Sequence, residues 1–182
     1  LIPNGYNVLC AYMRQPGDPG FEALEEKARL LGAPLVGIDD HGPWDMRVVR
    51  SLLDLCRQQR VAVWHGHDYK SNALGLLLRR FWPMKLVSTV HGWGVVTPRT
   101  RLYYRVDRIC LRHYESVICV SDDLYETCLK SGVPAERCCV IENAIDTEQY
   151  RRRRTVAEAK ARLELDPKRP LIGFVGRLSA EK

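Results

Sequence analysis

The sequence has 182 residues, of which 46% are hydrophobic and 27% are charged. This length suffices for one domain or slightly more with a buried core, and the composition excludes an intrinsically disordered chain. Charged residues interrupt every long apolar stretch, so no segment has the roughly 18 apolar residues in a row that a membrane-spanning helix needs.

The net charge of +6, from 28 basic and 22 acidic residues, is concentrated at one end of the sequence. Residues 150–182 contain ten basic and four acidic residues, whereas residues 1–149 contain 18 of each. The run Arg151 to Arg154 is typical of a solvated linker. A nucleic-acid-binding domain would spread its positive charge over a folded face, so we expect no nucleic-acid partner.

The cysteine pattern argues for a reducing compartment. The number of cysteines is odd and no C-x-x-C pair occurs, so we expect neither disulfides nor a cysteine metal site. The seven residues are Cys10, Cys56, Cys110, Cys119, Cys128, Cys138 and Cys139.

The first sixty residues predict two strands, each followed by a helix. The apolar run 6–12 predicts a strand, and Asp18 and Pro19 then suit the N-cap and first position of a helix that ends before Gly32. Residues 35–38 predict a second strand. A stripe of apolar side chains predicts a helix over 45–60.

The alternation of strand and helix continues through the middle of the chain. The predicted strands are 61–64, 85–90, 116–120 and 138–142, and the predicted helices are 71–81, 98–114 and 122–130. Such spacing indicates parallel strands joined by helices, and unbroken apolar strands indicate a sheet covered on both faces. The sequence therefore predicts an α/β fold with a Rossmann-like, mostly parallel sheet and helices on both faces.

The pattern changes after Asn143. Residues 151–170 contain the arginine run, a helix predicted at 156–165 and a turn with two prolines. Residues 171–175 predict a new buried strand, and one parallel strand cannot bury itself. We therefore expect a first domain over 1–150, an interdomain helix and linker over 151–170, and the start of a second domain over 171–182.

Polar side chains follow four of the predicted strands, at the point where each strand ends. Ligands of parallel α/β sheets bind outside the carboxyl ends of the strands, so these residues are the candidate functional side chains. They are His65, His67, Asp68, His91, Ser121 and Asn143.

Each of these motifs has more than one interpretation. His65-x-His67-Asp68 could supply metal ligands, but only His91 offers a further ligand, so a polar cleft lining is favoured. His91-Gly92-Trp93-Gly94 fits either a close approach of a ligand or a tight turn. Asn143 alone is typical of a turn.

The end of the sequence contains a basic motif, Gly176-Arg177, with Lys182 five residues later. A glycine turn after a buried strand with two cations suits a diphosphate, whereas the alternative is an exposed loop. The motif is not a Walker A loop.

Four segments together resemble glycosyltransferase family 4, which contains retaining, nucleotide-sugar-dependent enzymes of the GT-B fold. The segments are HGHD at 65–68, STVHGW at 88–93, VICVSDDLYETCLKSGVPAERCCVIENAID at 117–146 and LIGFVGRLSAEK at 171–182. The resemblance spans about residues 6–182, and the order of the motifs makes it specific although each motif alone is weak.

The resemblance implies roles for individual residues. His91 corresponds to an active-site histidine near the donor sugar and the acceptor. Gly176, Arg177 and Lys182 correspond to the motif that holds the donor diphosphate. Asn143 corresponds to a turn between two domains, although Ala144 replaces the glycine that usually follows. An acceptor-side cleft would be lined by His65, His67, Asp68, Trp93, Ser121 and Asn143.

The resemblance also implies the ligands and the location. It implies a nucleotide-sugar donor, a carbohydrate or lipid-linked acceptor, no metal and no further cofactor. A cytoplasmic location is expected, with peripheral association at the inner face of the membrane left open. The family's opening strand, loop and helix and most of its second domain are not found, so we expect this chain alone to be an inactive part of a sugar transferase.

Three other functions remain open from the residues alone. They are a nucleotide-sugar epimerase of the same fold, a metal-dependent hydrolase that uses His65, His67, Asp68 and His91, and a non-catalytic binding module. Stoichiometric zinc or manganese in the purified protein would favour the hydrolase.

Overall fold

The computed structural model describes residues 5–42, 45–94 and 97–173, in which strands and helices alternate along the chain. The pairs of strands are all parallel and helices flank the sheets, which confirms the predicted α/β class. The elements are β1 Cys10–Arg14, α1 Pro19–Leu30, β2 Leu35–Asp39, α2 Met46–Gln58, β3 Val63–Gly66, α3 Tyr69–Leu78, β4 Lys85–Val90, α4 Pro98–Leu111, β5 Ser116–Cys119, α5 Asp122–Lys130, β6 Cys138–Val140 and α6 Val156–Arg162.

Two strands, β1 and β3, begin later than predicted, because the partner strand sets where a strand begins. β4 and α5 have the predicted bounds. β1 begins at Cys10, the residue that pairs with Leu35 at the start of β2. β3 begins at Val63, which pairs with Lys85 at the start of β4. The apolar residues before Cys10 and Val63 have no partner residue on the adjacent strand, so the strands do not extend to them.

The strands form two sheets instead of the one sheet that the sequence predicted. One sheet contains β1 and β2, and the other has the order β3-β4-β5-β6. In the described part of the chain no backbone hydrogen bonds between strands join the two sheets. One hydrophobic cluster nevertheless spans both sheets, since Ile38 of β2 and Leu86 of β4 both belong to it.

The core lies mainly around the four-stranded sheet. Leu52, Leu78, Leu86 and Val117 are almost completely inaccessible to solvent. Tyr114 is also fully buried, and its hydroxyl donates a 2.8 Å hydrogen bond to the backbone carbonyl of Asn72. This bond satisfies the buried hydroxyl and ties the chain after α4 to α3.

Side-chain caps fix where the helices begin. Asp18 caps α1 with Pro19 in its first turn, as predicted, and Asp68 caps α3. Thr97 and Thr155 form reciprocal capping boxes at α4 and α6. Each cap satisfies backbone N–H groups that have no partner inside the helix.

The strand predicted at 171–175 is wrong for its described part. Residues 171–173 are not in a strand, and Ile172 is 98% exposed. The physical reason is that no described strand lies beside this segment to pair with it. Residues 174 and 175 lie outside the described residues.

None of the helices in the described residues is both long enough and apolar enough to cross a membrane.

Candidate functional site

Three histidines gather at the carboxyl ends of β3 and β4. His65 lies in β3, opposite Val87 of β4, and His67 follows the last residue of β3. His91 follows directly after β4. The parallel register of the two strands therefore brings both strand ends, and the side chains after them, to one edge of the sheet.

The three imidazole rings stack in a row. The centroids of His65 and His67 are 4.5 Å apart, and those of His67 and His91 are 5.5 Å apart. His67 Nδ1 lies 3.2 Å from His91 Nε2, within hydrogen-bond distance, and His65 Nε2 lies 2.8 Å from the hydroxyl of Thr89. The row thus brings together three of the six side chains that the sequence placed where strands end.

The surroundings of His65 and His67 favour the uncharged form of these two imidazoles. Burial lowers the pKa of His65, and the neighbouring His67 and His91 lower it further. Burial also lowers the pKa of His67, and His91 adds to this effect while Asp68 opposes it. A hydrogen bond between the rings of His67 and His91 requires one ring nitrogen to donate and the other to accept, so the contact constrains the tautomer of each ring.

Gly66, between the first two histidines, is required by the packing of α3. A Cβ atom at this position would lie 2.1 Å from Oδ1 of Asn72. Asn72 cannot easily move away, because it is buried and its Nδ2 donates a 2.7 Å hydrogen bond to Asp107 Oδ1. The glycine thus allows α3 to pack close to the end of β3.

A buried polar network holds the loop after β4 against α4. Asp107 of α4 accepts hydrogen bonds from Asn72 and from the indole N–H of Trp93, the latter at 3.0 Å. The guanidinium of Arg108 lies 4.7 Å from the centroid of the Trp93 ring. Burial raises the pKa of Asp107, and the two hydrogen bonds oppose this shift. Trp93, predicted to line the cleft, is therefore also an anchor for the loop that carries His91.

Asn72 and Asp107 were not among the predicted site residues. A signal for them exists in the sequence, because Asp107 is the one acidic residue in α4 and Asn72 interrupts an apolar helix. A polar side chain at a core-facing helical position needs a hydrogen-bond partner, and Asn72 and Asp107 are hydrogen-bonded to each other.

Two other predicted residues have a structural role as helix caps. Oδ1 of Asp68 accepts a 2.7 Å hydrogen bond from the backbone N–H of Ser71 at the start of α3. The hydroxyl of Ser121 accepts from the N–H of Leu124 in α5 at 3.4 Å. Asn143 is exposed in the segment after β6. In the described residues, no hydrogen bond joins these three to the histidine row.

The predicted diphosphate motif lies outside the described residues. Gly176, Arg177 and Lys182 therefore stay a prediction from the sequence.

An ion pair that the sequence did not predict connects the two sheets. The ammonium of Lys70 in α3 donates to the carboxylate of Asp40, directly after β2, and to the carbonyl of Gly42 at 3.2 Å. Both charged side chains are largely shielded from solvent. This contact brings the end of β2 to the same edge as the histidine row, because Lys70 is only three residues after His67.

In the described residues, metal-ligating geometry does not occur at the His65-x-His67-Asp68 segment, which the sequence offered as an alternative to a polar cleft lining, but at another place. Within 5–42, 45–94 and 97–173, one set of histidine, cysteine or carboxylate side chains has three ligand atoms within 4.8 Å of one another, and it does not include His65, His67, Asp68 or His91. The set is Cys119, Cys128 and Cys138, which come from β5, α5 and β6.

These three cysteines pack as small apolar side chains. The Sγ atom of Cys119 lies 3.6 Å from those of Cys128 and Cys138, and all three residues are buried. Burial raises the pKa of Cys119 and Cys138 to about 12 and that of Cys128 to about 11, so the thiols are protonated at neutral pH. Chain spacing could not predict the cluster, because its members come from three separate elements.

Comparisons with known proteins agree with this architecture. In sequence, the chain is 24% identical over 193 residues to UDP-Gal:alpha-D-GlcNAc-diphosphoundecaprenol alpha-1,3-galactosyltransferase of Escherichia coli, covering 100% of this chain and 49% of that protein. In structure, Anabaena Alr3699/HepE in complex with UDP and glucose superposes with a TM-score of 0.64 and 14% identity, over 87% of this chain and 50% of that one.

A second solved structure gives the same result, and a family model defines the relationship. A glycosyltransferase from Rickettsia africae superposes with a TM-score of 0.55 and 12% identity, over 91% of this chain and 52% of that one. The chain thus spans about half the length of the relatives it matches. Residues 1–149 match the model of Glycosyltransferase Family 4, and since this match covers most of the sequence, the chain belongs to that family.

Proposed function

We propose that this chain is the acceptor-side half of a retaining glycosyltransferase that moves a hexose from a nucleotide sugar to a glycan or lipid-linked acceptor. The observation that carries the proposal is the row of His65, His67 and His91 at the carboxyl ends of β3 and β4, in a member of Glycosyltransferase Family 4. Ligands of parallel α/β sheets bind at this edge.

The donor we propose is a uridine diphosphate hexose. HepE was solved in complex with UDP-glucose, and the name of the E. coli relative specifies UDP-Gal. In this chain Arg177 and Lys182, after the turn at Gly176, would bind the diphosphate, because a guanidinium offers two parallel hydrogen bonds to phosphate oxygens. Charge that develops on the leaving diphosphate would be stabilised by these cations, with no metal required.

His91 is the residue that we place at the reacting groups. Its ring follows β4 directly, and its Nε2 faces His67, so the other ring nitrogen is free of that contact and available to a ligand. His67 is a positioning residue in this scheme, since it orients the His91 ring and selects its tautomer. His65, Asp68, Trp93, Ser121 and Asn143 would line the acceptor side of the cleft.

The proposed acceptor class is supported by one of the same relatives. The E. coli enzyme is named for an acceptor linked to diphosphoundecaprenol, a lipid carrier, so a lipid-linked acceptor is our preferred class. For such an acceptor we propose a cytoplasmic enzyme that associates peripherally with the inner face of the membrane. Transfer also needs donor and acceptor held in register, so we expect the 182-residue chain alone to be inactive.

The test is transfer of radiolabelled hexose from UDP-glucose and UDP-galactose by the full-length gene product. Arg177→Ala is expected to cost about 2–4 kcal/mol of transition-state stabilisation, and Arg177→Lys should recover only part of it, because a point charge replaces a fork. His91→Ala should lower kcat by roughly a hundredfold or more with a smaller change in acceptor binding. Arg50→Ala, on an exposed position of α2, is the matched control.

Several results would contradict the proposal. Wild-type activity in Arg177→Ala would remove the diphosphate assignment, and robust transfer by the 182-residue chain would remove the half-enzyme interpretation. Interconversion of free UDP-hexoses without transfer would favour an epimerase. Activity that depends on stoichiometric zinc or manganese would favour a hydrolase, and ligand binding without turnover would favour a binding module.

A further inference from the structure

Three thiols from separate elements meet beneath the four-stranded sheet. Cys119 lies in β5, Cys128 in α5 and Cys138 in β6, and all three belong to the hydrophobic core cluster. Cys119 Sγ lies 3.6 Å from each of the other two sulfurs, and the three sulfur atoms are within 4.8 Å of one another. The three side chains therefore converge on one point, which their packing as small apolar groups does not require.

The spacing of the sulfurs fits one central atom bonded to all three. An atom with three bonds to sulfur of about 2.3 Å, at angles of about 100–110°, holds the sulfurs about 3.5–3.8 Å apart. Both distances from Cys119 lie in this range. The sulfurs of Cys128 and Cys138 are within 4.8 Å, so they need to close by at most about 1 Å. A disulfide, by contrast, would use only two of the three sulfurs.

The neighbouring Cys139 does not belong to this set. It follows Cys138 in β6, and successive side chains of a strand point to opposite faces of the sheet. Accordingly, Cys138 is buried and Cys139 is exposed. Among the residues that the structure describes, no fourth histidine, cysteine or carboxylate joins the three sulfurs. The site therefore offers three protein ligands, and all of them are sulfur.

The charge of the complex determines which element suits this site. Three thiolates around Zn²⁺ carry one net negative charge, and three around Cu⁺ carry two. A net charge is costly in an apolar core, and a structural zinc ion also takes a fourth ligand. Three thiolates around trivalent arsenic form a neutral, pyramidal complex that needs no fourth ligand. Arsenic is also a soft acceptor, which matches sulfur ligands.

We propose that Cys119, Cys128 and Cys138 bind trivalent arsenic, taken up as arsenous acid, in one three-coordinate site. Each thiol gives its proton to one hydroxyl group of As(OH)₃. Three As–S bonds form, three As–O bonds break, and three water molecules leave. Arsenic stays trivalent and sulfur is not oxidised, so the step uses no oxidant or reductant. The product links β5, α5 and β6 through one atom and adds no charge to the core.

Strand β6 provides the way into this site. It is three residues long, and in the described part of the chain it lies at the edge of the four-stranded sheet with β5 as its one neighbour. Short edge segments with few contacts open at a lower free energy than central ones. Cys138 is 8% exposed, so we expect it to react first. Cys119 and Cys128 are inaccessible until β6 moves.

The experiment incubates the whole chain, reduced with a phosphine, with arsenite. It measures the mass of the intact protein and the X-ray absorption spectrum of the bound arsenic. We expect one arsenic per chain and a mass gain of one arsenic atom less three hydrogens. The spectrum should show three sulfur neighbours around arsenic and no oxygen neighbour. These wild-type measurements need no variant, so they test the coordination even if a variant fails to fold.

Variants identify which sulfurs bind. Cys128→Ala and Cys138→Ala should each abolish the three-sulfur spectrum and weaken arsenite binding by about tenfold or more, because one of three linked bonds is lost. Cys56→Ala removes a buried cysteine of α2, and Cys139→Ala removes the exposed cysteine of β6. Both are matched controls and should bind arsenite as the wild type does. Unchanged circular dichroism excludes unfolding as the cause of a loss.

Four results would overturn the proposal. They are the absence of bound arsenic, a spectrum with two sulfur neighbours and one oxygen, a loss in the Cys139→Ala control equal to that in Cys138→Ala, and tighter binding of zinc than of arsenite. The third result would place arsenic on the adjacent pair of β6, and the fourth would indicate a site for a divalent metal. The assay contains no nucleotide sugar or acceptor, so its outcome is independent of the proposed transferase activity.

Discussion

The two parallel sheets of this protein are built from similar strands but are buried to very different extents. In β4 and β5 every second side chain is inaccessible, whereas in β1 and β2 only Ile38 is buried. All three histidines of the candidate site lie at the end of the well-packed sheet. The comparison teaches that the site is placed where neighbouring strands and helices fix the ends of the strands.

The difference in burial follows from how many neighbouring strands and helices lie against each sheet. β4 and β5 each pair on both edges, and α3 packs on β3, β4 and α4. β1 and β2 each pair on one edge in the described structure, and of their apolar side chains only Ile38 is buried. An apolar strand reaches full burial only when both of its neighbours are present.

The largest expected effect comes from one substitution made in each sheet. Leu86→Ala in β4 should lower the free energy of unfolding by about 3 kcal/mol, because it leaves a cavity in the core. Leu35→Ala in β2 should cost about 1 kcal/mol, because that side chain is only half buried. Urea denaturation measures both, and equal costs would show that the two sheets are equally well packed.

A second pair of variants compares glycines. Gly66→Ala should destabilise by about 2–3 kcal/mol, because its Cβ meets the fixed Oδ1 of Asn72. Gly37→Ala in β2 should cost less, since its Cβ meets the ring of Phe21 at 2.7 Å in the more loosely packed sheet. Thermal unfolding gives the ranking, and a larger cost at Gly37 would contradict it.

The smallest effect is a pH dependence specific to the histidine row. The pKa values of His65 and His67 are lowered in the folded state, so the unfolded chain binds more protons just below pH 6.5. Their contribution to stability is complete above about pH 6.5 and is lost as the pH falls towards the lowered values. The loss should be a few tenths of a kcal/mol, because the rings are partly exposed.

Denaturation curves between pH 7.5 and 5 test this dependence. His67→Asn should flatten the fall in stability, and His113→Asn, at an exposed position after α4, is the control for loss of one histidine. A wild-type stability that rises as the pH drops through this range would contradict the prediction.

Local patterns predicted most of the fold. The cap at Asp18, the bounds of β4 and the end of α5 before Gly132 each depend on neighbouring residues, so they could be found from the sequence. The convergence of His67 and His91 was also predictable, because parallel strands end at one edge. The partners that set the start of β1, and the division into two sheets, depend on long-range pairing that no local pattern contains.

The supporting contacts of the site were harder to predict than the histidines. The hydrogen bond from Asn72 to Asp107 joins residues 35 positions apart, and the ion pair of Lys70 with Asp40 joins residues 30 apart. Only the packing of α3 against its neighbours brings these groups together. Asp68 and Ser121 show the reverse case, in which a polar residue after a strand is explained by capping the next helix.

The rate at which Cys119, Cys128 and Cys138 react with an alkylating reagent measures how often the four-stranded sheet opens. An alkylating reagent reacts with the thiolate, and burial both raises the pKa of these thiols and blocks access to them. The exposed Cys10 and Cys139 should be modified first. Slow modification of Cys119, Cys128 and Cys138 then reports how often β5, α5 and β6 separate. Mass spectrometry of the peptides that contain these cysteines, in timed samples, therefore measures the local stability beneath the site without a denaturant.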